Sequence, residues 1–276
     1  MKPLVSVCIP AYNNAPYIME TVNSILAQTY ENIELIIVDD NSSDETLQII
    51  SSVIDPRLCI YHNDKNLGMS GNWNRCLSLC NGEFVKLICA DDILHPQALE
   101  KEVQALMDHP EAVLAISDTK LIDLDGKGKG HYRRYPSSGL TDGKRIARRG
   151  FFSQNYFGAP LADTFRRSIA EQVGGFDPYF RYILDYDLFV SIACCGYVYV
   201  IHEDLNYFRV RKDSNTGEVI GADKEKTQLY VREHMHLLEK NREKLQLSDY
   251  DIAASVFIRK VRNFAASIYL KIFVHK

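Results

Sequence analysis

Residues 33–46 read IELIIVDDNSSDET, a short apolar run followed by a polar segment rich in aspartate and serine. The run from Ile33 to Val38 has the length and the β-branched content of a buried strand. Directly after it, Ser42 and Glu45 match a capping box, which predicts the start of a helix. The stretch therefore predicts a strand, a loop and a helix, with an acidic pair at the carboxyl end of the strand.

The same unit recurs along the first 120 residues. A β-rich run at 4–9 ends at Pro10, and helical spacing of apolar residues follows from Ile18 to Leu26. Further strands are predicted at 58–61, 84–89 and 113–117, and further helices at 71–80 and 96–107. This alternation favours an α/β fold, an open, mainly parallel, twisted sheet flanked by helices, with ligands at the carboxyl ends of its strands.

Charge and composition exclude several classes of protein. A formal net charge of -4 and a pI near 6.1 give no basic footprint, so no nucleic-acid partner is expected. No apolar run reaches 18 residues and the run at 4–9 is too short for a signal peptide, which predicts a cytoplasmic protein. The seven cysteines are scattered without paired CxxC spacing, so we expect reduced core thiols and no zinc site.

Two acidic pairs follow predicted strands. Asp39 and Asp40 can accept hydrogen bonds from a base or a ribose, although capping of the next helix would also explain them. Asp91 and Asp92 offer the carboxylate oxygens that Mg²⁺ and Mn²⁺ prefer, and such an ion would bridge them to a diphosphate. The alternative for this second pair is a solvated helix start.

Two later motifs also carry candidate chemistry. In the segment 184–187, Asp185 or Asp187 can act as a general base, and either can equally cap the helix that follows. Arg209, Arg211 and Lys212 follow a strand-like run. Guanidinium groups bind phosphate oxygens bidentately, so these side chains form either a diphosphate clamp or a solvated basic turn.

Six segments occur in an order and spacing that resembles glycosyltransferase family 2, the inverting enzymes with a GT-A fold. They are VSVCIPAYNN, ELIIVDDNSSDET, NLGMSGNWNRCL, GEFVKLICADDIL, VGGFD and DYDLFVSIACCG. The resemblance covers roughly residues 3–212. It implies a GT-A fold, a Rossmann-like sheet that binds a nucleotide sugar, and an inverting transfer of the sugar.

The resemblance also implies a nucleotide-binding cleft. The ring of Tyr12 would stack on the base, and Asp39 or Asp40 would bond the edge of a uracil-type base. Other nucleotide-binding residues are expected at Pro10, Ala11, Asn13, Gly68, Asn74, Asp91, Arg209 and Arg211.

The metal site and the base are implied in the same way. Asp91 corresponds to the last carboxylate of the family's Asp-x-Asp motif and Asp92 follows it, so both are expected to hold Mn²⁺ or Mg²⁺. Asp185 falls at the position of the family's catalytic base, and Asp187 is the second choice.

The chain departs from the family's pattern at three positions. Cys89 replaces the first aspartate of Asp-x-Asp, which predicts a metal held more by phosphate and water than by protein oxygens. Leu184 replaces the acidic residue before the base. Arg211 stands where some relatives carry a metal-binding histidine, and a cation there would bind phosphate directly.

The predicted domains follow from this reading. Residues 1–220 form the GT-A catalytic domain, with a nucleotide-sugar-binding half at 1–120 and an acceptor-side half at 121–220 that starts with a mobile loop region at 123–149. Residues 221–276 form a helical extension. Its last helix carries an apolar stripe and an excess of Lys and Arg, which suits an anionic membrane surface through 252–276, at the inner face of the plasma membrane. Packing on the catalytic domain or on a second copy, as a homodimer, is the alternative.

The expected activity is transfer of a hexosyl or N-acetylhexosaminyl group from a nucleoside-diphosphate sugar, chiefly a UDP-sugar, to a saccharide or lipid-linked acceptor in surface glycan synthesis. Two alternatives remain open. One is a catalytically impaired sugar-nucleotide-binding protein, which the residues at positions 89 and 184 would explain. The other is a nucleotidyltransferase, although the first strand is followed by PAYNN instead of a glycine-rich phosphate loop.

Overall fold

The structure, a computed structural model, describes residues 2–211 and 224–273, with side chains described for 225–262 of the second range. The strands are β1 Val5–Ala11, β2 Ile33–Asp39, β3 Leu58–His62, β4 Phe84–Leu87, β5 Ile93–Leu94, β6 Ala112–Ile122, β7 Gly128–Tyr132, β8 Gly139–Asp142, β9 Asp163–Arg166 and β10 Tyr197–Arg209. The helices are α1 Ile18–Leu26, α2 Thr46–Ser51, α3 Gly68–Leu79, α4 Ala98–Asp108, α5 Gly143–Phe152, α6 Arg167–Gln172, α7 Leu184–Ala193, α8 Lys224–Lys240, α9 Arg242–Leu245 and α10 Asp249–Phe273.

The described strands form one sheet in the order β3-β2-β1-β4-β9-β6-β10-β5, with β7 beside β6 and β8 beside β10. The pairs within β3-β2-β1-β4 and the pair β6-β10 are parallel, whereas β9 lies antiparallel between β4 and β6. The predicted α/β fold is confirmed, and the sheet is mixed because β9 and the strands β5, β7 and β8 run antiparallel to their neighbours. The carboxyl ends of β1, β2 and β4 meet at one edge.

Side chains of successive strand residues enter two different cores, one on each face of the sheet. Leu35 and Ile37 of β2 belong to the core under α1 and α4, while Ile36 and Val38 belong to the core under α3, α5 and α7. This alternation is the period of two that an extended strand imposes. It explains why β2 reads as a continuous apolar run, since both of its faces are covered.

Two local predictions were wrong. The region 123–149 is not a loop, because it contains β7, β8 and most of α5, which pair with β6 and β10 or pack on the sheet. The capping box of α2 does not form either. The hydroxyl of Ser42 accepts a bond from the backbone N–H of Asn13, and Asp44 accepts the N–H of Thr46 in its place.

The C-terminal helices share the second core. Leu237 and Leu238 of α8 and Ile252 of α10 are buried together with residues of α5 and α7. Farther along α10, Phe257 is 67% exposed and Val261 49% exposed, so the predicted apolar stripe is open at these two positions. The side chains of the stripe beyond 262 lie outside the described residues. Among the described residues no helix is long and apolar enough to cross a membrane.

Candidate functional site

Hydrogen bonds tie the loop after β1 to the loop after β2. The backbone N–H of Asn13 donates to Ser42 Oγ at 3.0 Å, and Asn13 Oδ1 accepts from the N–H of Ser43 at 2.8 Å. Asn13 adopts a left-handed backbone with φ 52°, a conformation that asparagine tolerates better than most residues. Tyr12, just before it, is 48% exposed at the rim of the sheet. The structure thus presents a tyrosine ring on a fixed loop.

Pro10 and Ala11 form the end of β1, where Ala11 lies in register with Asp39. The backbone N–H of Asp40 donates to the carbonyl of Ala11 at 2.8 Å, which extends the pairing past the end of β2. Ala11 is fully buried. These residues place backbone and small side chains at the carboxyl end of the strand.

The two aspartates after β2 differ in their bonding. Asp40 uses both oxygens within the protein, since it accepts from Asn63 Nδ2 at 2.8 Å and from the backbone N–H groups of Leu67 and Gly68 at 2.8 and 3.0 Å. Asp39 accepts from His62 Nδ1 at 2.9 Å through Oδ2, while its buried Oδ1 has no hydrogen-bond partner. Of the pair, Asp39 therefore keeps an acceptor for a further donor.

Gly68 and Asn74 hold loops at this edge. Gly68 begins α3 with φ 72°, a left-handed conformation in which glycine is unstrained. Asn74 bonds both backbone groups of Phe176, donating to its carbonyl at 2.7 Å and accepting from its N–H at 2.9 Å. This differs from the predicted place of Asn74 in the nucleotide cleft, because its amide is used to hold the Gly-Gly-Phe-Asp turn.

Arg209 is a buried structural residue instead of an open phosphate clamp. Its guanidinium donates to the carbonyls of Asp91, Asp123 and Leu124 at 2.9 to 3.1 Å, pairs with Glu20 and stacks on the ring of Tyr17. The side chain is 1% exposed. Sequence reasoning expected a ligand for this guanidinium, but the protein already fills most of its donor positions.

Asp91, Asp92 and Arg211 lie together beyond β4. Arg211 Nη1 is 3.2 Å from Asp91 Oδ2, and the two side chains are 15% and 18% exposed. Asp92 is turned into the protein, where one oxygen accepts the backbone N–H of Arg209 at 2.9 Å. Burial, followed by the charge of Asp91, raises the pKa of Asp92 well above its ordinary value. Lys212 lies outside the described residues.

The metal that the sequence pattern implies fits Asp91 better than Asp92. The described residues contain no group of three or more histidine, cysteine or acidic side chains that could hold an ion alone. Asp91 offers a partly exposed carboxylate, a hard oxygen donor that suits Mg²⁺ or Mn²⁺ when diphosphate oxygens and water complete the shell. The placement of Asp92 favours a structural role instead.

Asp185 lies in the first turn of α7, and its carboxylate is partly buried. Burial raises its pKa from the ordinary value of 3.8 to about 6, against the lowering effects of the Tyr186 backbone N–H and of Arg134. The thiol of Cys89 is affected by the charge of Asp185. Burial raises the pKa of Cys89, and the charges of Asp92, Asp91 and Asp185 raise it further. Asp185 and the acidic pair beyond β4 thus all lie near enough to Cys89 to act on its ionisation.

Asp187 is bound to the C-terminal helices. It is 1% exposed and forms an ion pair with Lys240 of α8 at 2.8 Å, and Lys240 also contacts Asp177 at 2.9 Å. Burial raises the pKa of Asp187, and Lys240 opposes that effect. A carboxylate held in this way is less suited to receive a proton from a substrate than Asp185.

Sequence reasoning missed Glu233, which positions the segment before the base. This buried side chain of α8 accepts the backbone N–H groups of Arg181, Tyr182 and Ile183 at 2.8, 2.9 and 3.3 Å. The pattern of α8 in the sequence shows helical spacing only. No local signal identifies a contact with residues about 50 positions away.

Comparison with known proteins identifies related sequences and structures of the same fold. The sequence model described as "Glycosyl transferase family 2" matches residues 6–185. The chain is 26% identical over 228 residues to the succinoglycan biosynthesis protein ExoO of Rhizobium meliloti, across 80% of this chain and 64% of that protein.

Two solved structures share the fold. One is S. aureus TarS in complex with UDP-GlcNAc, with a TM-score of 0.71 and 18% identity over 99% of this chain and 76% of that one. The other is the mannosyltransferase PcManGT from Pyrobaculum calidifontis in complex with GDP-Man and Mn²⁺, with a TM-score of 0.61, 18% identity and the same coverage. These likenesses confirm the predicted GT-A fold.

Proposed function

Because the chain belongs to glycosyl transferase family 2, we propose that it is an inverting, metal-dependent enzyme that moves a hexosyl or N-acetylhexosaminyl group from a UDP-sugar to a hydroxyl of a saccharide or lipid-linked acceptor. The observation that carries the proposal is Asp185, a partly buried carboxylate whose pKa of about 6 leaves it ionised at neutral pH. Its charge and that of Asp91 both act on the thiol of Cys89, which supports placing the two carboxylates in one site.

In the proposed reaction the acceptor hydroxyl attacks the anomeric carbon from the side opposite the diphosphate. Asp185 receives the hydroxyl proton, the new glycosidic bond forms, and the bond to the diphosphate breaks with its electron pair on the leaving phosphate. One displacement inverts the anomeric carbon. A base with a pKa near the working pH suits this step, because it is ionised before transfer and basic enough to accept the proton.

The donor is proposed to bind across the ends of β1 and β2. The exposed ring of Tyr12 offers a stacking surface for the base, and the unpartnered Oδ1 of Asp39 offers an acceptor for the N–H of a uracil ring. The TarS complex with UDP-GlcNAc supports a uridine donor, while the PcManGT complex with GDP-Man shows that a protein of the same fold takes a guanosine donor.

Asp91 would hold the metal, Mn²⁺ or Mg²⁺, together with the diphosphate. When bound, such an ion supplies Lewis-acid stabilisation of the departing phosphate. The guanidinium of Arg211, beside Asp91, can also neutralise phosphate charge. The metal ion and Arg211 would therefore both stabilise the departing phosphate. The Mn²⁺ in the PcManGT complex supports the choice of metal.

The biological setting is proposed from one relative. ExoO is by name a succinoglycan biosynthesis protein, which supports a role in polysaccharide assembly. Contact of α10 with the inner face of the plasma membrane, and formation of a homodimer, stay predictions.

A donor-hydrolysis screen tests the proposal. Release of free nucleotide would be followed from UDP-, GDP- and dTDP-sugars with Mn²⁺, with and without chelator, in the wild type and in Asp185→Asn. Metal-dependent release from one donor names the sugar. Binding of a donor that no acceptor converts to product would favour the impaired binding protein, and pyrophosphate-dependent formation of nucleoside triphosphate would favour the nucleotidyltransferase.

A further inference from the structure

A cavity of about 400 Å³ lies in the acceptor-side half, outside the donor cleft. Its walls come from the segment after β7, the segment after α5 and the helix α10. The residues that line it include Arg133, Tyr135, Ser153, Gln154, Tyr156 and Arg262. Its volume is in the range of small-molecule sites, and it would hold one sugar or one sugar phosphate.

The lining of this cavity is cationic and aromatic, without an aspartate or glutamate among the lining residues. The guanidinium of Arg149 adds a third positive charge, 5.5 Å from the centre of the Tyr135 ring. Arg133 forms an ion pair with the buried Asp118, whose Oδ2 is 3.7 Å from Arg133 Nε, and its side chain stays 59% exposed.

The two tyrosine rings form a rigid wall. Tyr135 and Tyr156 pack edge to face with their centres 4.9 Å apart. The hydroxyl of Tyr156 accepts from Ser153 Oγ at 2.8 Å, and the carbonyl of Tyr135 bonds His202 Nε2 at 2.7 Å. The aromatic wall is therefore held in place, while the exposed side chain of Arg133 can turn toward a ligand.

The chain connects this cavity to the candidate base. Arg133 lines the cavity, and the next residue, Arg134, is close enough to Asp185 to lower the pKa of that carboxyl. On the other wall, Tyr156 lies close enough to influence the ionisation of Tyr186, which follows Asp185 in α7. Phe157, the residue after Tyr156, packs with its ring centre 6.3 Å from that of Tyr186, so the cavity wall is linked by packing to the turn that carries the candidate base.

We propose that this cavity binds a phosphate group carried by the acceptor, through Arg133 and Arg262. Guanidinium groups match phosphate oxygens bidentately, and the tyrosine rings would cover the apolar face of an attached sugar or polyol. The inference rests on the proposed glycosyl transfer, and it narrows the acceptor class to phosphate monoesters or diesters. In this proposal Arg262 of the basic helix α10 binds the acceptor phosphate instead of a membrane surface.

The test compares two double variants that remove the same charge. Arg133→Gln with Arg262→Gln removes the cavity cations, and Arg75→Gln with Arg145→Gln removes two exposed arginines elsewhere. Binding of inorganic phosphate at low ionic strength would be measured by ³¹P NMR titration. Charge-assisted hydrogen bonds predict that the cavity variant binds at least about tenfold more weakly, while the control variant binds like the wild type.

Absence of phosphate binding by the wild type would overturn the proposal, and so would equal affinities of the two double variants. The source of the phosphate is tested with decyl phosphate and with neutral decyl maltoside. Tighter binding of decyl phosphate than of inorganic phosphate, without binding of the maltoside, assigns a lipid-linked acceptor. Equal affinities for the two phosphates assign a water-soluble one.

Donor hydrolysis separates this inference from the proposed function. The cavity variant should release nucleotide from the donor at the wild-type rate, because the donor cleft lies in the other half of the chain. A parallel loss of donor hydrolysis and phosphate binding would contradict a separate acceptor cavity. Lack of hydrolysis in the wild type would count against the proposed function. The phosphate titration would then still show whether the cavity binds phosphate.

Discussion

Changing the pH should reveal the base directly, because Asp185 can accept a proton only while it is ionised. Burial raises the pKa of Asp185 to about 6. With that value, roughly 90% of the carboxylate is ionised at pH 7 and roughly 10% at pH 5. We expect kcat/KM to fall about ninefold between these two values, with an acid limb centred near pH 6.

The substitution Asp185→Asn should remove that limb together with most turnover, since general-base catalysis contributes about 10² to 10⁴ in rate. It should also stabilise the fold near neutral pH. The folded pKa of about 6 exceeds the ordinary value of 3.8, so the ionised carboxylate disfavours folding above pH 6. That cost is at most about 3 kcal/mol above pH 6, and it falls to about 0.5 kcal/mol at pH 4, where the folded state holds the proton and the unfolded state holds it in part.

The assay combines initial rates from pH 5 to 9 with urea unfolding of both proteins at pH 4 and pH 7.5. Asp187→Asn is the matched control two residues further on, and it should keep turnover within about tenfold and retain the acid limb. The reasoning fails if Asp185→Asn keeps full activity, or if the control loses the limb and Asp185→Asn does not.

Three further perturbations follow from the geometry. Glu233→Gln removes the anionic acceptor of three backbone N–H groups, so urea unfolding should show a loss of about 1–3 kcal/mol, and an unchanged midpoint would argue against that bonding. Gly158→Ala places a Cβ 1.4 Å from Arg134 Nη1 on a backbone with φ 66°, so the free energy of unfolding should fall by about 2–4 kcal/mol. Gly126→Ala is the control, because its backbone has φ 77° but no atom lies within 4 Å of the new Cβ. It should lower the free energy of unfolding by about 1–2 kcal/mol in the same assay. Asp91→Asn should lower Mn²⁺-dependent donor hydrolysis at least about tenfold, and activity that resists chelator in both proteins would contradict a metal at this carboxylate.

The sequence identifies the parts of the fold that depend on local patterning. The apolar run of β2 and the turn chemistry after it are visible in consecutive residues, and the acidic residues at strand ends follow from the same pattern. The strands β7 and β8 could not be found in this way. Gly128 and Gly130 replace apolar residues in β7, which exists because it pairs with β6 along the sheet edge.

The site is less predictable because residues far along the chain decide which polar side chains are already hydrogen-bonded and which keep an unpartnered atom. Asp39 and Asp40 look equivalent in the sequence, but Asn63 and the start of α3 use both oxygens of Asp40 and leave one oxygen of Asp39 unpartnered. Arg209 looks like a phosphate ligand. Its donors are instead taken by carbonyls of residues about 85 positions earlier, a pairing that no local pattern encodes.

The same sorting explains why the two carboxylates of α7 differ. Lys240 neutralises Asp187, and Glu233 holds the backbone before the helix, so α8 fixes the first turn of α7 from one side. Burial raises the pKa of both carboxylates, but among the described residues Asp185 forms no ion pair like the one between Asp187 and Lys240. The C-terminal helices, which read as an appendage in the sequence, thereby hold Asp187 in an ion pair and leave Asp185 as the carboxylate proposed to act as the base.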